Sequence, residues 1–519
     1  MKPFNSEGAF QQYAEQSGLR RRAVRGAGIT VFAQVAAFAV QMIATVVLAR
    51  LLVPGDFGVV TMVTTFSVLL MSCGRVGFPD AILQREEINR FLASNLFWIN
   101  VGTASVLTFA FAGAGSLLAR LYGDPRVAHV AIGLSLTIFI DSTSILHLAL
   151  LKRAMRFSTV SANDIVARAV SVVVSIFLGW LGWGYWALVA GAVALPLSTT
   201  IGAWTLCRWV PSLPRRVPGT GSSVRFAVHV FGRYSLGYTA QNTDNLLVGW
   251  RFGPAALGLY KKAYDLFVLP FSLLTVYPVA VSTLSRLTKD RAQYKRYFLG
   301  GLSMLALVGM GIGADFTLVG RDLVRLLLGP KWEEAGRIFV FFGPGIGAQL
   351  VYSTYGMIHL SIGTTARFLR WGFIEVGVTL MLFILALPWG PVGLAVAWTT
   401  SYWVLTIPAL SYAGKPIDLK IGSILGAIWK YLVSSLVAGL ACAAIIRVMP
   451  SIVLAPAPLG AFVRIVEASV LFGLLYFGMI VLLHGGGAPL YQLAGLVGEM
   501  VPARFLKPSP VVDTASTGQ

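Results

Sequence analysis

Charge is what this chain has least of. Asp, Glu, Lys and Arg make up 12% of its 519 residues, while hydrophobic side chains make up 56%. A water-soluble chain of that length needs far more polar surface, so a soluble globular fold is excluded. Cysteine is nearly absent as well. Cys73, Cys207 and Cys442 are scattered through apolar stretches and support neither a disulfide framework nor a metal site. No phosphate loop, HExxH, GxSxG or metal-spaced carboxylate cluster occurs, and no connection exceeds roughly 20 residues. That leaves no room for a soluble catalytic domain, and allows an ATP-driven pump only if a partner supplies the ATPase. No metal or cofactor is expected.

What is present is apolar helix. Mean hydropathy is +0.75, and stretches of about 20 apolar residues, the length that crosses a bilayer, recur along the chain. The reading is an all-α polytopic membrane protein with about 14 transmembrane helices. The formal charge of +20 invites a nucleic-acid partner, but its placement argues against one. Arg20, Arg21, Arg22 and Arg25 precede the first span, and every second connection carries cations, among them Lys152, Arg153, Arg215 and Arg216. About 27 Lys and Arg fall on one side and about 10 on the other, a positive-inside bias that puts both termini in the cytoplasm. The surplus then serves topology and attraction to anionic lipid headgroups. No small-residue cleavage site follows the first span, which is expected to stay as an anchor in a bacterial inner membrane.

The chain also repeats itself. Ala49-Arg50-Leu51-Leu52-Val53-Pro54-Gly55-Asp56-Phe57-Gly58 is echoed by Gly249-Trp250-Arg251-Phe252-Gly253-Pro254-Ala255-Ala256-Leu257-Gly258, with Pro54/Pro254 and Gly58/Gly258 in register. Arg120-Leu121 with Pro125 recurs as Arg325-Leu326 with Pro330, and Trp183-Gly184 as Trp389-Gly390. Each unit has an even number of spans, so the repeats run parallel. The expected organisation is a cytoplasmic segment 1–25, a first six-helix lobe 26–207 and a basic, proline-containing linker 208–226. A second six-helix lobe 227–412, two additional helices in 413–485 and a polar tail 486–519 follow. Both echoing hairpins are expected on the outer side, as structural corners of the two lobes.

Ionisable and amide groups inside the spans are the candidate site, because burying them in lipid is costly unless a cavity or partner receives them. Arg233, Gln241 and Asp244 share a helix face, flanked by Asn242 and Asn245. The stripe either lines a cavity or glues helices by hydrogen bonds. Lys261 and Asp265 form a helical pair, leaving Lys262 as a cation for an anionic headgroup. Pro270 and Pro278 suit either a bending element or a static kink. Gln34 and Gln41 share a face of the first span, and Arg75 follows the second. Asp141 is locally unpaired, fit either for proton coupling or for an interhelical hydrogen bond. Asp164 with Arg168 reads as structural, and Arg370 with Glu375 repeats the ambiguity. Arginine suits phosphate because its planar fork binds two oxygens at once.

From Asn242 to Tyr260, through Ala263-Tyr264 and Leu269-Pro270, and again at Ala49–Gly58, the chain resembles the Wzx-like polysaccharide-biosynthesis flippases. These belong to the multidrug/oligosaccharidyl-lipid/polysaccharide exporter superfamily, and the branch is similar to the colanic acid exporters. The resemblance covers roughly residues 20–485. It implies two six-helix lobes around a central cavity opening alternately to each side, and a polyprenyl-pyrophosphate-linked oligosaccharide as substrate. A polysaccharide polymerase and export machinery are possible partners. On position alone, Arg233, Lys262 and Arg75 are the expected pyrophosphate contacts, with Gln241, Asn242, Gln34 and Gln41 as further cavity groups. Asp244, Asp141, Asp265 and Glu375 are coupling or structural carboxylates. The rival readings are a cation-coupled multidrug exporter and, in another class, a membrane polymerase or ligase, which would need a large catalytic loop.

Overall fold

The computed structural model describes residues 1, 3–5, 8–10, 38–85, 87–274, 277–448 and 459–500. Gln34 lies outside them. The described chain is a succession of helices: α1 (Phe38–Leu51), α2 (Pro54–Arg75), α3 (Phe78–Gln84), α4 (Arg90–Tyr122), α5 (Arg126–Arg153), α6 (Phe157–Trp180) and α7 (Tyr185–Leu206). Then come α8 (Thr220–Leu274), α9 (Tyr277–Arg286), α10 (Arg291–Leu328), α11 (Glu333–Ser361), α12 (Thr365–Ala386) and α13 (Gly390–Gly414). The last are α14 (Ile421–Val448), α15 (Leu459–His484) and α16 (Ala488–Met500).

Local chemistry sets the helix ends. The Asn89 side chain accepts from the Leu92 N–H at 2.7 Å to open α4, and Asp290 accepts from Ala292 and Gln293 at 3.0 Å to open α10. Pro54 begins α2, where its missing N–H costs nothing, and Asp56 accepts from the Val53 N–H at 3.2 Å. Gly253, with φ 80° and ψ −179°, breaks α8 into two helices, a backbone angle that only glycine adopts freely. The two halves correspond to separate expected spans.

Among the described residues, nine helical stretches are long and apolar enough to cross a membrane. The difference from the expected count has physical causes. Thr365–Ile417 counts once although it holds both α12 and α13. Helices α8 and α11 are too polar to qualify, and the first expected span begins outside the described residues.

Packing repeats in parallel. In the first set α2 lies on α5, α4 on α5, α5 on α7 and α6 on α7; in the second α8 lies on α11, α10 on α11, α11 on α13 and α12 on α13. Helices α14 and α15 pair with each other and lean on α10. Arg464 of α15 holds Asp322 of α10 at 2.7 Å, and the Tyr476 hydroxyl donates to the Leu307 carbonyl at 2.7 Å. The expected linker is tied down: Arg85 donates to the Gly219 carbonyl at 2.8 Å, and Asn95 to that of Arg215 at 2.6 Å. Helix α8 starts at Thr220, inside that linker.

The echoing hairpins are not separate corners; they meet. A Cβ on Gly58 would run into the Pro254 carbonyl, and a Cβ on Gly258 into that of Pro54. The main hydrophobic core gathers behind this contact, with Phe57 and Met62 of α2, Val248 and Tyr260 of α8, and Trp332 and Phe342 buried together. Trp180, Trp183 and Trp389 are exposed, and the glycines next to them, Gly179, Gly184 and Gly390, lie against Leu51, Asp56 and Phe252 of the hairpins, where amphipathic rings suit a membrane interface.

Candidate functional site

Hydrogen bonds join the first helical set to the second at both ends: Asn95 of α4 donates to the Thr220 hydroxyl of α8 at 3.2 Å, and two more bonds lie at the hairpin end. Arg50 donates to the Leu326 carbonyl at 2.8 Å, and the Trp332 indole N–H to the Ala49 carbonyl at 2.8 Å. Phe57 meets Trp332 edge to face, with ring centroids 5.3 Å apart. Lys262 sits here too, its ammonium 4.4 Å from the Phe57 ring centre and 4.0 Å from Asp265. The expectation that Lys262 lacks a partner is therefore corrected: Asp265 serves both lysines, holding Lys261 at 2.6 Å.

Away from the closed end, α2, α5 and α6 bring charges together. Arg75 donates from Nε and Nη2 to the two oxygens of Asp141, at 2.6 and 2.7 Å. Asp141, read from sequence as locally unpaired, is thus matched by a residue on another helix. Its side chain is 6% exposed and that of Arg75 49%. A guanidinium carries five N–H donors, so the edge not used by Asp141 keeps donors to offer. Asp164 bonds Arg168 at 2.9 Å, as the spacing implied. Asp164 lies near enough to Arg75 to act on it electrostatically. The cations of this cluster are matched one for one by carboxylates. Among the described side chains the cluster has no net cationic surplus; it has a held, half-exposed arginine.

Asp244 is fully buried and accepts from the Tyr260 hydroxyl at 2.8 Å, the Trp398 indole N–H at 2.9 Å and the Asn245 N–H at 2.7 Å. It joins the two halves of α8 to α13. Asn242 and Asn245 bond each other at 3.2 Å within α8; it is Asp244, through Trp398 of α13, that glues helix to helix. Gln241 behaves differently. It is exposed, and lines a cavity of about 260 Å³ between α8, α11, α12 and α13, together with Tyr355, Glu375, Thr379 and Trp398. Glu375 accepts from the Tyr355 hydroxyl at 3.0 Å. Arg370 is exposed on α12.

The remaining candidates do not converge. Gln41 is exposed on α1, and Arg233 lies in α8 with its side chain outside the described residues. The tyrosines that sequence reasoning passed over are Tyr234, Tyr238 and Tyr355. The first two were visible as a helical i, i+4 step leading to Gln241. Among the described residues no group of His, Cys, Asp and Glu could hold a metal ion.

Residues 47–337 match the family model described as polysaccharide biosynthesis protein. The chain is 20% identical over 357 residues to the succinoglycan biosynthesis transport protein ExoT of Rhizobium meliloti, covering 68% of this chain and 72% of that one. It is 23% identical over 325 residues to the lipopolysaccharide biosynthesis protein WzxC of Escherichia coli, covering 61% and 65%. Among solved structures, the lipid II flippase MurJ in an inward closed conformation superposes with a TM-score of 0.68 at 13% identity, over 88% of this chain and 100% of that one. That likeness shows that the two chains share a fold.

Proposed function

The chain belongs to the polysaccharide biosynthesis protein family, and on that premise we propose that it flips polyprenyl-pyrophosphate-linked oligosaccharide units across the inner membrane. The product feeds exopolysaccharide or O-antigen assembly, and the movement is alternating access. The observation that carries the reading is an arginine held inside the helical bundle by Asp141 with half of its side chain exposed. The repeats meet glycine against carbonyl at Gly58 and Gly258, and again where Gly77 lies against Ala227, while Arg75 beside that second contact stands half-exposed. With the basic connections on the cytoplasmic side, the hairpin junction is the outer one. The boundaries 26–207 and 227–412 are then the two moving bodies.

Arg75 takes the pyrophosphate with the guanidinium edge that Asp141 leaves free, and Asp141 is the positioning residue that aims it. Asp244 and Glu375, carboxylates in the second body, are placed to link the movement to an ion gradient. The polyprenyl chain stays in lipid. Polymerase and export proteins take the unit on the far side.

The purified chain in vesicles, supplied with a polyprenyl-diphosphate saccharide, tests this. Arrival of the sugar at the opposite leaflet, read by periodate or lectin access and lost in Arg75→Ala, is expected. Transport no faster than in protein-free vesicles overturns the proposal.

A further inference from the structure

Between α7 and α8 the chain crosses the flank of α4. The Trp98 indole N–H donates to the Ser212 carbonyl at 2.9 Å, and the Ser212 N–H to Ser94 Oγ at 3.0 Å. The Arg215 N–H reaches Asn95 Oδ1 at 3.0 Å, and the Arg215 guanidinium lies 4.9 Å from the centre of the Phe91 ring. Trp209 turns inward, buried against Phe97 and His147. Val210 and Leu213 turn outward, 68% and 77% exposed. The bonds to α4 fix the backbone, so the fold itself holds these two apolar side chains away from the protein.

What they turn towards is set by α4. Trp98, Val106, Phe109 and Leu117 are exposed and share one face of that helix. A bare apolar stripe along a spanning helix faces lipid. Trp98 is the end of the stripe nearest Arg90, where α4 begins, so residues 208–216 cross it where hydrocarbon gives way to headgroups. Three exposed cations, Arg208, Arg215 and Arg216, accompany the two apolar side chains. Among the described residues no carboxylate pairs with them, and no Asp or Glu occurs in the sequence between Asp164 and Asp244. Apolar side chains rimmed by such cations match the acyl boundary of a bilayer that contains anionic lipid. We propose that residues 208–216 are a membrane anchor, in which Val210 and Leu213 enter the acyl boundary while Arg208, Arg215 and Arg216 hold the phosphates of anionic phospholipids. The connection between the two repeats is thereby seated in the leaflet together with α4, whatever substrate the protein carries.

The test uses the full chain in vesicles, with a bimane label at Leu213→Cys in a background without the three native cysteines. Lipids brominated on their acyl chains quench the label only where it meets the acyl region. Brominated phosphatidylcholine is expected to quench it. Brominated phosphatidylglycerol is expected to bind beside it about fivefold more strongly, the contribution of one cation at an anionic surface. In the triple variant Arg208→Gln, Arg215→Gln, Arg216→Gln, quenching by phosphatidylcholine stays and the preference falls towards one. Arg216→Gln alone, which breaks no bond to α4, lowers the preference part of the way. Absence of quenching by both lipids overturns the anchor. Equal quenching by both with the arginines in place, or a preference that survives the triple substitution, overturns the anionic-lipid site. Each of these results leaves the flippase reading standing.

Discussion

Arg75 and Asp141 stand 66 residues apart in sequence and are joined by two hydrogen bonds that leave half of the arginine side chain exposed. The carboxylate fixes where the planar group points, and the remaining edge is oriented before any ligand arrives. Orientation that is established in advance is not charged against binding.

The first prediction concerns that orientation. Arg75→Lys keeps the charge but loses the fork, and is expected to slow flipping by about tenfold, the factor that about 1.4 kcal/mol carries. Asp141→Asn keeps the arginine and loosens its aim, so a smaller loss in the same direction is expected. Initial flipping rates in vesicles measure both. Wild-type rates in Arg75→Lys would show that charge alone suffices.

A second prediction concerns the shut end. Gly58→Ala or Gly258→Ala forces a methyl against a backbone carbonyl, and such overpacking costs about 1–3 kcal/mol. The cost falls on the shut state, so its population drops. Spin labels at Gly55 and Ala255, in a background without the three native cysteines, are expected to report longer distances in either variant. Unchanged distances would mean the contact does not hold this end closed.

Trp332 offers a finer probe of the same state. Trp332→Phe keeps a ring against Phe57 and removes the N–H that reaches the Ala49 carbonyl. The loss, about 1 kcal/mol for one net hydrogen bond, predicts a shift like that of the glycine variants but smaller. The same label pair reads it.

Asp244→Asn puts an amide N–H₂ where three donors already point. A destabilisation of about 1–3 kcal/mol is expected, seen as a lower thermal midpoint of the detergent-solubilised chain. Dependence of flipping on an imposed ion gradient is expected to disappear in the molecules that remain folded.

Asp124, in the connection before α5, gives a pH prediction. Hydrogen bonds from Arg126 hold its carboxyl below the ordinary carboxylate range. A lowered folded pKa means the contribution is present above the unfolded value and is lost as pH falls through the folded one. The pair is partly exposed, so about 0.2–1 kcal/mol is at stake. The thermal midpoint of Asp124→Asn is expected to lie below wild type at neutral pH and to converge with it under acid.

Much of the architecture was legible because bilayer length and periodicity are local signals. Asn89, Pro54 and Gly253 mark helix ends within a few residues of themselves. The repeat was legible too, but the contact between Gly58 and Pro254 was not, since it joins segments 200 residues apart through shape alone. Site chemistry divides the same way. Arg168 with Asp164 and Lys261 with Asp265 are one helical turn apart, so spacing revealed them. Arg75 and Asp141 were each picked out as isolated charges, and only packing of α2 on α5 makes them a pair. Lys262 was misread as unpartnered because Asp265 was assigned to Lys261 alone, although it also stands three residues from Lys262; the Phe57 ring against it comes from the other repeat and was not legible. The cavity around Gln241 and Glu375 was invisible because four separate helices build it.

The reciprocity of the hairpins has a historical consequence. Residue 58 meets residue 254 as residue 258 meets residue 54, which is the signature of a surface complementary to itself under a two-fold rotation. An ancestor of half the length, pairing with a second copy of itself in the same membrane, would have made this junction before its gene doubled.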